Sequence, residues 1–208
     1  NIRYNQYGVQ VDRKPVVPET RDGLMVFESK DGVYRFWFDV RINIDGALIT
    51  GDELNENGSG AEVRRARMAM KGQFRENWYG EIDMDFADSR ADLKDAYLMY
   101  MPNRNFNVKW GNFKEVFSME QNTSSRYLTF MERPMVTRAL TPARTLGTHA
   151  VYSRNWLLAA GGVHFQDVGG WEEVQNRKDN NADFGADEGY SFTGKIILMP
   201  MSQDMTKG

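Results

Sequence analysis

EVRRARMAMKGQF, residues Glu62 to Phe74, decides how this chain is read. Strand side chains alternate faces. As a strand, the segment gathers Arg65, Arg67, Lys71 and the following Arg75 on one side with Ala69 and Gln73. Ala66, Met68, Met70, Gly72 and Phe74 fall on the other. Two architectures accept such a strand. In a soluble sheet the apolar side packs a core and the charged side meets bulk water. In an outer-membrane barrel the apolar side meets lipid and the charged side lines an aqueous lumen.

The neighbouring segments repeat the pattern. Tyr34, Phe36, Phe38, Val40, Ile42 and Ile44 alternate with Arg35, Asp39, Arg41, Asn43 and Asp45, and only Trp37 breaks the rhythm. After a turn at Glu76 and Asn77, Trp78, Gly80, Ile82, Met84 and Phe86 oppose Tyr79, Glu81, Asp83 and Asp85. Further strands are expected at Leu93–Met101, Asn105–Phe113, Gly147–Arg154, Trp156–Phe165 and Gly189–Met199. These lengths suit the ~9–11-residue tilted strands of a membrane barrel. Trp78, Tyr79, Trp110 and Trp156 near strand ends fit an interfacial girdle or ordinary hairpin packing. No convincing amphipathic helix competes.

The 208 residues hold 26% charged side chains at a mean hydropathy of −0.61. That excludes membrane-spanning helices but not barrel strands, which average to polar values. A net charge of −3 argues against non-specific nucleic-acid binding. Zero cysteines exclude disulfides, zinc ribbons and thiol catalysis, and fit assembly in an oxidising periplasm. No signal-like segment opens the chain, so Asn1 reads as a mature or trimmed start. Residues 1–22, with Pro15 and Pro18, read as a flexible arm or plug preceding a barrel portion at 23–208. The segment Asp52–Gly60 reads as a solvent loop.

Residues 115–145 form a connection of ~30 residues without a clean period, far longer than a hairpin needs. Its apolar content (Phe117, Met119, Tyr127, Leu128, Phe130, Met131, Met135) suggests that it folds inward and packs. A hairpin centred on Asn77 would set Lys71 opposite Asp83, Gln73 opposite Glu81, Arg67 opposite Ala87 and Arg65 opposite Ser89. Arg65 and Arg67 would then lack carboxylate partners. Guanidiniums in that state recognise phosphate or carboxylate oxygens bidentately. Arg126 and Arg133 from the loop, with Lys109 on a neighbouring strand, would complete a positive passage.

Other chemistry finds little support. His149 and His164 lie on different expected strands, with no nucleophile elbow, so the chain is not read as an enzyme. Asp179, Asn181 and Asp183 have calcium-like spacing, but Gly185 comes one place late. No glycine-rich phosphate loop is present. No metal or cofactor is expected.

GLMVFESKDGVYRFWFDVRINID, EVRRARMAMKGQF, LKDAYLMYM, VKWGNFKEVFSMEQNTSSRYLTFMERP and GYSFTGKIILMP follow one another between Gly23 and Pro200. In order and style they resemble the phosphate-selective porin family, most specifically in GNFKEVFSMEQNTSSRYLTFMER. The resemblance implies an all-β antiparallel transmembrane β-barrel of sixteen strands, usually a homotrimer. It would sit in the outer-membrane lipid of a Gram-negative bacterium, with an inward-folded loop narrowing the pore for anions such as phosphate. Carried over by position, the arginine pair is Arg64 and Arg65 and the loop serines are Ser124 and Ser125. The strand lysine is Lys109, the strand aspartate is Asp95, and Arg126 and Arg133 follow in the loop. The chain departs from the family pattern where Glu120 and Gln121 stand in place of a lysine ahead of the serines. Alternation also sends Arg64 to the face opposite Arg65, towards a rim or subunit contact. About eight strands are expected here, half of the family's barrel. With the MTKG ending, this suggests the N-terminal half of a longer protein. The competing reading is a small β-barrel or sheet protein that binds a ligand or partner without conducting.

Overall fold

The computed structural model describes residues 24–50, 59–165, 168 and 190–200, and the strand backbone at 3–4, 10–11 and 16–21. Strands β1 (Arg3–Tyr4) and β2 (Gln10–Val11) form a separate pair. The sheet comprises β3 (Val16–Arg21), β4 (Leu24–Ser29), β5 (Tyr34–Ala47), β6 (Gly60–Phe74), β7 (Trp78–Asp85), β8 (Asp92–Asn103), β9 (Phe106–Lys114), β10 (Arg144–Arg154), β11 (Leu157–His164) and β12 (Ser191–Leu198). It is one 10-stranded antiparallel sheet in which every strand pairs with its sequence neighbours, from β3 at one edge to β12 at the other. The strands expected from alternation are all present. Two strands beyond those expected, β3 and β4, extend the sheet, pairing from Val16↔Ser29 to Arg21↔Leu24.

Burial is inverted relative to a water-soluble sheet. Phe38, Val40, Ile42, Ile44, Met68, Met70, Ile82 and Ile196 are exposed, Ile42 to 65%. Arg65, Asp83, Asp85, Glu115, His149 and His164 are buried, Arg65 to 6% exposure. Leaving a large apolar side chain in water forgoes roughly 1.5–3 kcal/mol each. A hydrocarbon surrounding removes that penalty, so the sheet is part of a β-barrel wall with its charges inside. No helix among the described residues is long and apolar enough to cross a membrane, a criterion that does not bear on strands.

The ends of the wall differ. Tight turns at 30–33, 75–77, 104–105 and 155–156 lie at one end, and the longer connections at 86–91 and 115–143 lie at the other. This alternation of short and long connections is typical of outer-membrane barrels. Trp78, just after a tight turn, carries an outward ring cluster, with Phe74 at 6.4 Å, Tyr100 at 4.8 Å and Trp110 at 6.5 Å. Tyr79 does not join this girdle. Its ring lies 6.0 Å from Trp37 on the inner face, which also accounts for the break in alternation at Trp37. Gly111 in β9 has φ +129°, and a Cβ there would stand 2.2 Å from the Ala96 carbonyl oxygen of β8. Only glycine permits so close a backbone approach.

The residues of the calcium-like spacing, Asp179, Asn181, Asp183 and Gly185, lie outside the described residues, as does most of the expected solvent loop at 52–60.

Candidate anion-recognition site

The β6–β7 hairpin sits two residues away from the expected register. Phe74 pairs with Trp78, so the turn centres on Glu76 rather than Asn77, with Arg75 at φ 52°. Lys71 therefore faces Glu81 and Arg67 faces Asp85. Arg67 is not free of carboxylates: its Nε donates to Asp85 Oδ2 at 2.8 Å, and Nη1 lies 3.9 Å from Asp83. Lys71 lies 3.0 Å from Asp39 and 3.6 Å from Glu81.

A β-bulge sets the arginine pair. Asn43 of β5 pairs with Arg65, but Ile44 pairs with Val63, leaving Arg64 as the extra residue. A bulge re-aims side chains that strict alternation would separate. Both guanidiniums consequently reach the loop carboxylate Glu132, Arg64 through Nε and Arg65 through Nη2 at 3.1 Å. The placement of Arg64 on the opposite face is thereby corrected, as is the lack of a carboxylate partner for Arg65. Arg138 stands 4.0 Å from the same carboxylate. Burial raises the pKa of Glu132, but the Arg64 hydrogen bond and the Arg64, Arg65 and Arg138 charges outweigh it, holding the carboxyl below its usual value. The group is thus ionised at neutral pH, and its attraction to the arginines fades only as acid protonates it.

The loop carries helices α1 (Met119–Asn122) and α2 (Met135–Leu140) and lies against the charged face. Polar contacts dock it. Arg126 pairs with Asp39, and Ser125 Oγ accepts from Arg41 Nη1. Lys114 Nζ donates to the carbonyls of Gln121 at 2.6 Å and Thr123 at 3.4 Å. Within the loop itself, Arg133 donates to the carbonyls of Glu120 at 3.2 Å and Thr123. Of the apolar side chains expected to pack, Leu128 alone is half-buried: Phe117, Met119, Tyr127 and Met131 are exposed, as are Phe130 at 78% and Met135 at 80%. Ion pairs, and strand side chains donating to loop hydroxyl and carbonyl oxygens, hold the loop instead.

Lys109 sits 4.0 Å above the Tyr97 ring and 5.3 Å from that of Phe113. Such cation–π contact holds an ammonium without neutralising it. The Tyr79 and Tyr97 hydroxyls both donate to Glu81 Oε2, at 3.0 and 2.7 Å. Asp95 accepts from Arg144 Nη2 at 2.7 Å. His149 and His164 lie on adjacent strands with ring centroids 6.2 Å apart.

The candidate residues divide between two cavities. One of about 420 Å³ brings together Arg67, Lys109, Ser124, Ser125, Arg126 and Asp95. Another of about 360 Å³ takes Arg64, Arg65 and Arg133, and shares Arg67 and Ser125 with the first. In both, basic side chains outnumber carboxylates.

Two lining residues escaped the sequence reading. Arg41 is directly opposite Arg67, and its buried Nε has no hydrogen-bond partner. It was visible on the polar face of its segment, but only the β5–β6 register sets it against Arg67. Lys114, at the end of β9, pins the loop through carbonyl oxygens that carry no sequence signal.

An antiparallel wall, apolar on one face and charged on the other, with a long connection laid over its charges, defines part of a β-barrel. Among β-barrel proteins the chain belongs to the family described as phosphate-selective porin O and P, which matches residues 36–196. It is similar to an uncharacterized protein of Caulobacter vibrioides, at 26% identity over 143 residues, covering 69% of this chain and 28% of that protein. It is also similar to Porin O of Pseudomonas aeruginosa, at 27% identity over 133 residues, covering 60% of this chain and 30% of that protein. The chain thus spans about three-tenths of the length of these curated relatives.

Proposed function

We propose that the chain contributes a charged part of the wall of a passive, anion-preferring pore in a Gram-negative outer membrane, working as a homotrimer without covalent chemistry. The carrying observation is Arg41: a half-buried guanidinium facing Arg67, bonded to the loop hydroxyl of Ser125, with no carboxylate within 4.0 Å among the described residues. Two opposed guanidiniums repel one another. An oxyanion between them relieves the repulsion and accepts from both planar forks.

In this reading Arg67 and Arg126 attract the anion, Ser124 and Ser125 hydrogen-bond it at the narrowing, and Lys109 passes it along. Arg64, Arg65 and Arg133 gather it on the loop side, and Asp95 holds Arg144 in place. The acids that pair with several of these cations keep binding weak enough for release, which conduction requires. Phosphate and related oxyanions fit this chemistry, and the name of the Pseudomonas relative supports a porin role.

The full-length protein, reconstituted in a planar bilayer under a potassium chloride gradient, should give a reversal potential of the sign set by chloride. Added phosphate should reduce the chloride current. A potassium-dominated reversal potential would reject the proposal. Fractionation with outer membranes and heat-modifiable migration on a detergent gel are expected alongside.

A further inference from the structure

We infer that Glu132 is an exchangeable internal counter-anion, a carboxylate held where a permeating oxyanion would bind, which sets how tightly the pore retains its anion. The inference rests on the pore reading above and goes beyond it by assigning a specificity-determining role to an acidic residue.

Glu132 Oε1 accepts from both Arg64 Nε and Arg65 Nη2, and Oε2 lies 4.0 Å from Arg138 Nη1. One carboxylate thus engages three guanidiniums brought together by the Arg64 bulge and the loop. A phosphate or organic carboxylate reaching the same cavity would use the same donors through the same planar geometry.

Exchange is sterically open. The Glu132 side chain is 34% exposed and faces the cavity of about 360 Å³, whereas Arg65 beneath it is 7% exposed. A buried guanidinium stripped of its partner is strongly destabilised, so another anion must take the partner's place. Either Glu132 or the passing ion can fill that role. Among the described residues only Asp85 accompanies Glu132 as a carboxylate lining this cavity, and Asp85 is engaged by Arg67 Nε and by the backbone N–H groups of Ala66 and Ala87. Glu132 is therefore the carboxylate here whose departure is balanced by an arriving anion.

The arrangement solves a conduction problem. Buried arginines alone would trap phosphate. A tethered competitor raises the rate of release by rebinding as the ion leaves, as a second ion does in knock-on conduction.

The test compares Glu132→Gln, Glu132→Asp and wild-type full-length protein in planar bilayers, with inorganic phosphate titrated against chloride current. Heat-modifiable migration confirms that each variant is folded. With Glu132→Gln, half-block should fall to roughly a tenth of the wild-type phosphate concentration, equivalent to about 1.4 kcal/mol. Glu132→Asp, with a shorter arm, should lie between. If Glu132 only docks the loop, Glu132→Gln would raise open conductance with unchanged or weaker phosphate block, and that result overturns the inference while leaving an anion-preferring pore intact. A cation-preferring wild type would overturn the pore reading and this inference together.

Discussion

Replacing Arg65 and Arg126 together by glutamine should collapse the anion preference of the reconstituted pore. Each substitution removes a cation and leaves its carboxylate with fewer partners, Glu132 with Arg64 and Arg138 and Asp39 with Lys71. A unit charge about 8 Å from the ion path contributes about 2 kcal/mol at an effective dielectric of ~20, cut to about 1 kcal/mol by ~0.1 M salt. Two lost charges then lower the anion-to-cation permeability ratio by roughly tenfold or more. Reversal potentials across a salt gradient read this directly. Unchanged potentials would show that neither arginine acts on the permeating ion. The opposite sign is expected for Glu132→Gln, so the pair separates field effects from general damage to the loop.

The largest effect on assembly should come from Gly111→Ala. The backbone there has φ +129°, and the added methyl carbon would stand 2.2 Å from Ala96 O and 2.7 Å from Tyr97 Cα. Neither is a flexible side-chain end, so β8 and β9 must separate. Backbone strain and overpacking together cost about 3 kcal/mol or more. Folding into detergent micelles should need a lower urea concentration to reverse, and the compact unheated gel band should weaken. Gly72→Ala serves as the control, because its nearest neighbour would be Arg35 O at 3.6 Å, ordinary contact distance. Its cost should stay below about 1 kcal/mol. Equal behaviour of the two variants would contradict the close β8–β9 approach.

These two glycines mark what the chain discloses by itself. The strands were legible because β5, β6 and β7 alternate cleanly, and an alternating pattern leaves little choice of face. Register was less so. The turn at 75–77 contains no glycine, and Arg75 takes the positive φ, so nothing in the sequence favoured Glu76 over Asn77 as the centre. The bulge at Arg64 cannot be read from alternation, since a bulge is the place where alternation fails. The inward fold of the loop was expected, but its partners on the wall could not be foreseen. Arg126 meets Asp39 across 87 positions of chain, and Arg64 meets Glu132 across 68. Local pattern carries no information at that range. The arginines and serines were found as residue types and by family resemblance, whereas their partners came only with the fold.

The loop is moored by charges and carbonyls, with its oily side chains turned away from the wall. Such a tether feels electrolyte directly, because mobile ions shorten the reach of Coulomb forces from ~10 Å at 0.1 M to ~3 Å at 1 M. In concentrated brine the mooring slackens and the passage widens, so single-channel conductance should climb more steeply than the conductivity of the bathing solution.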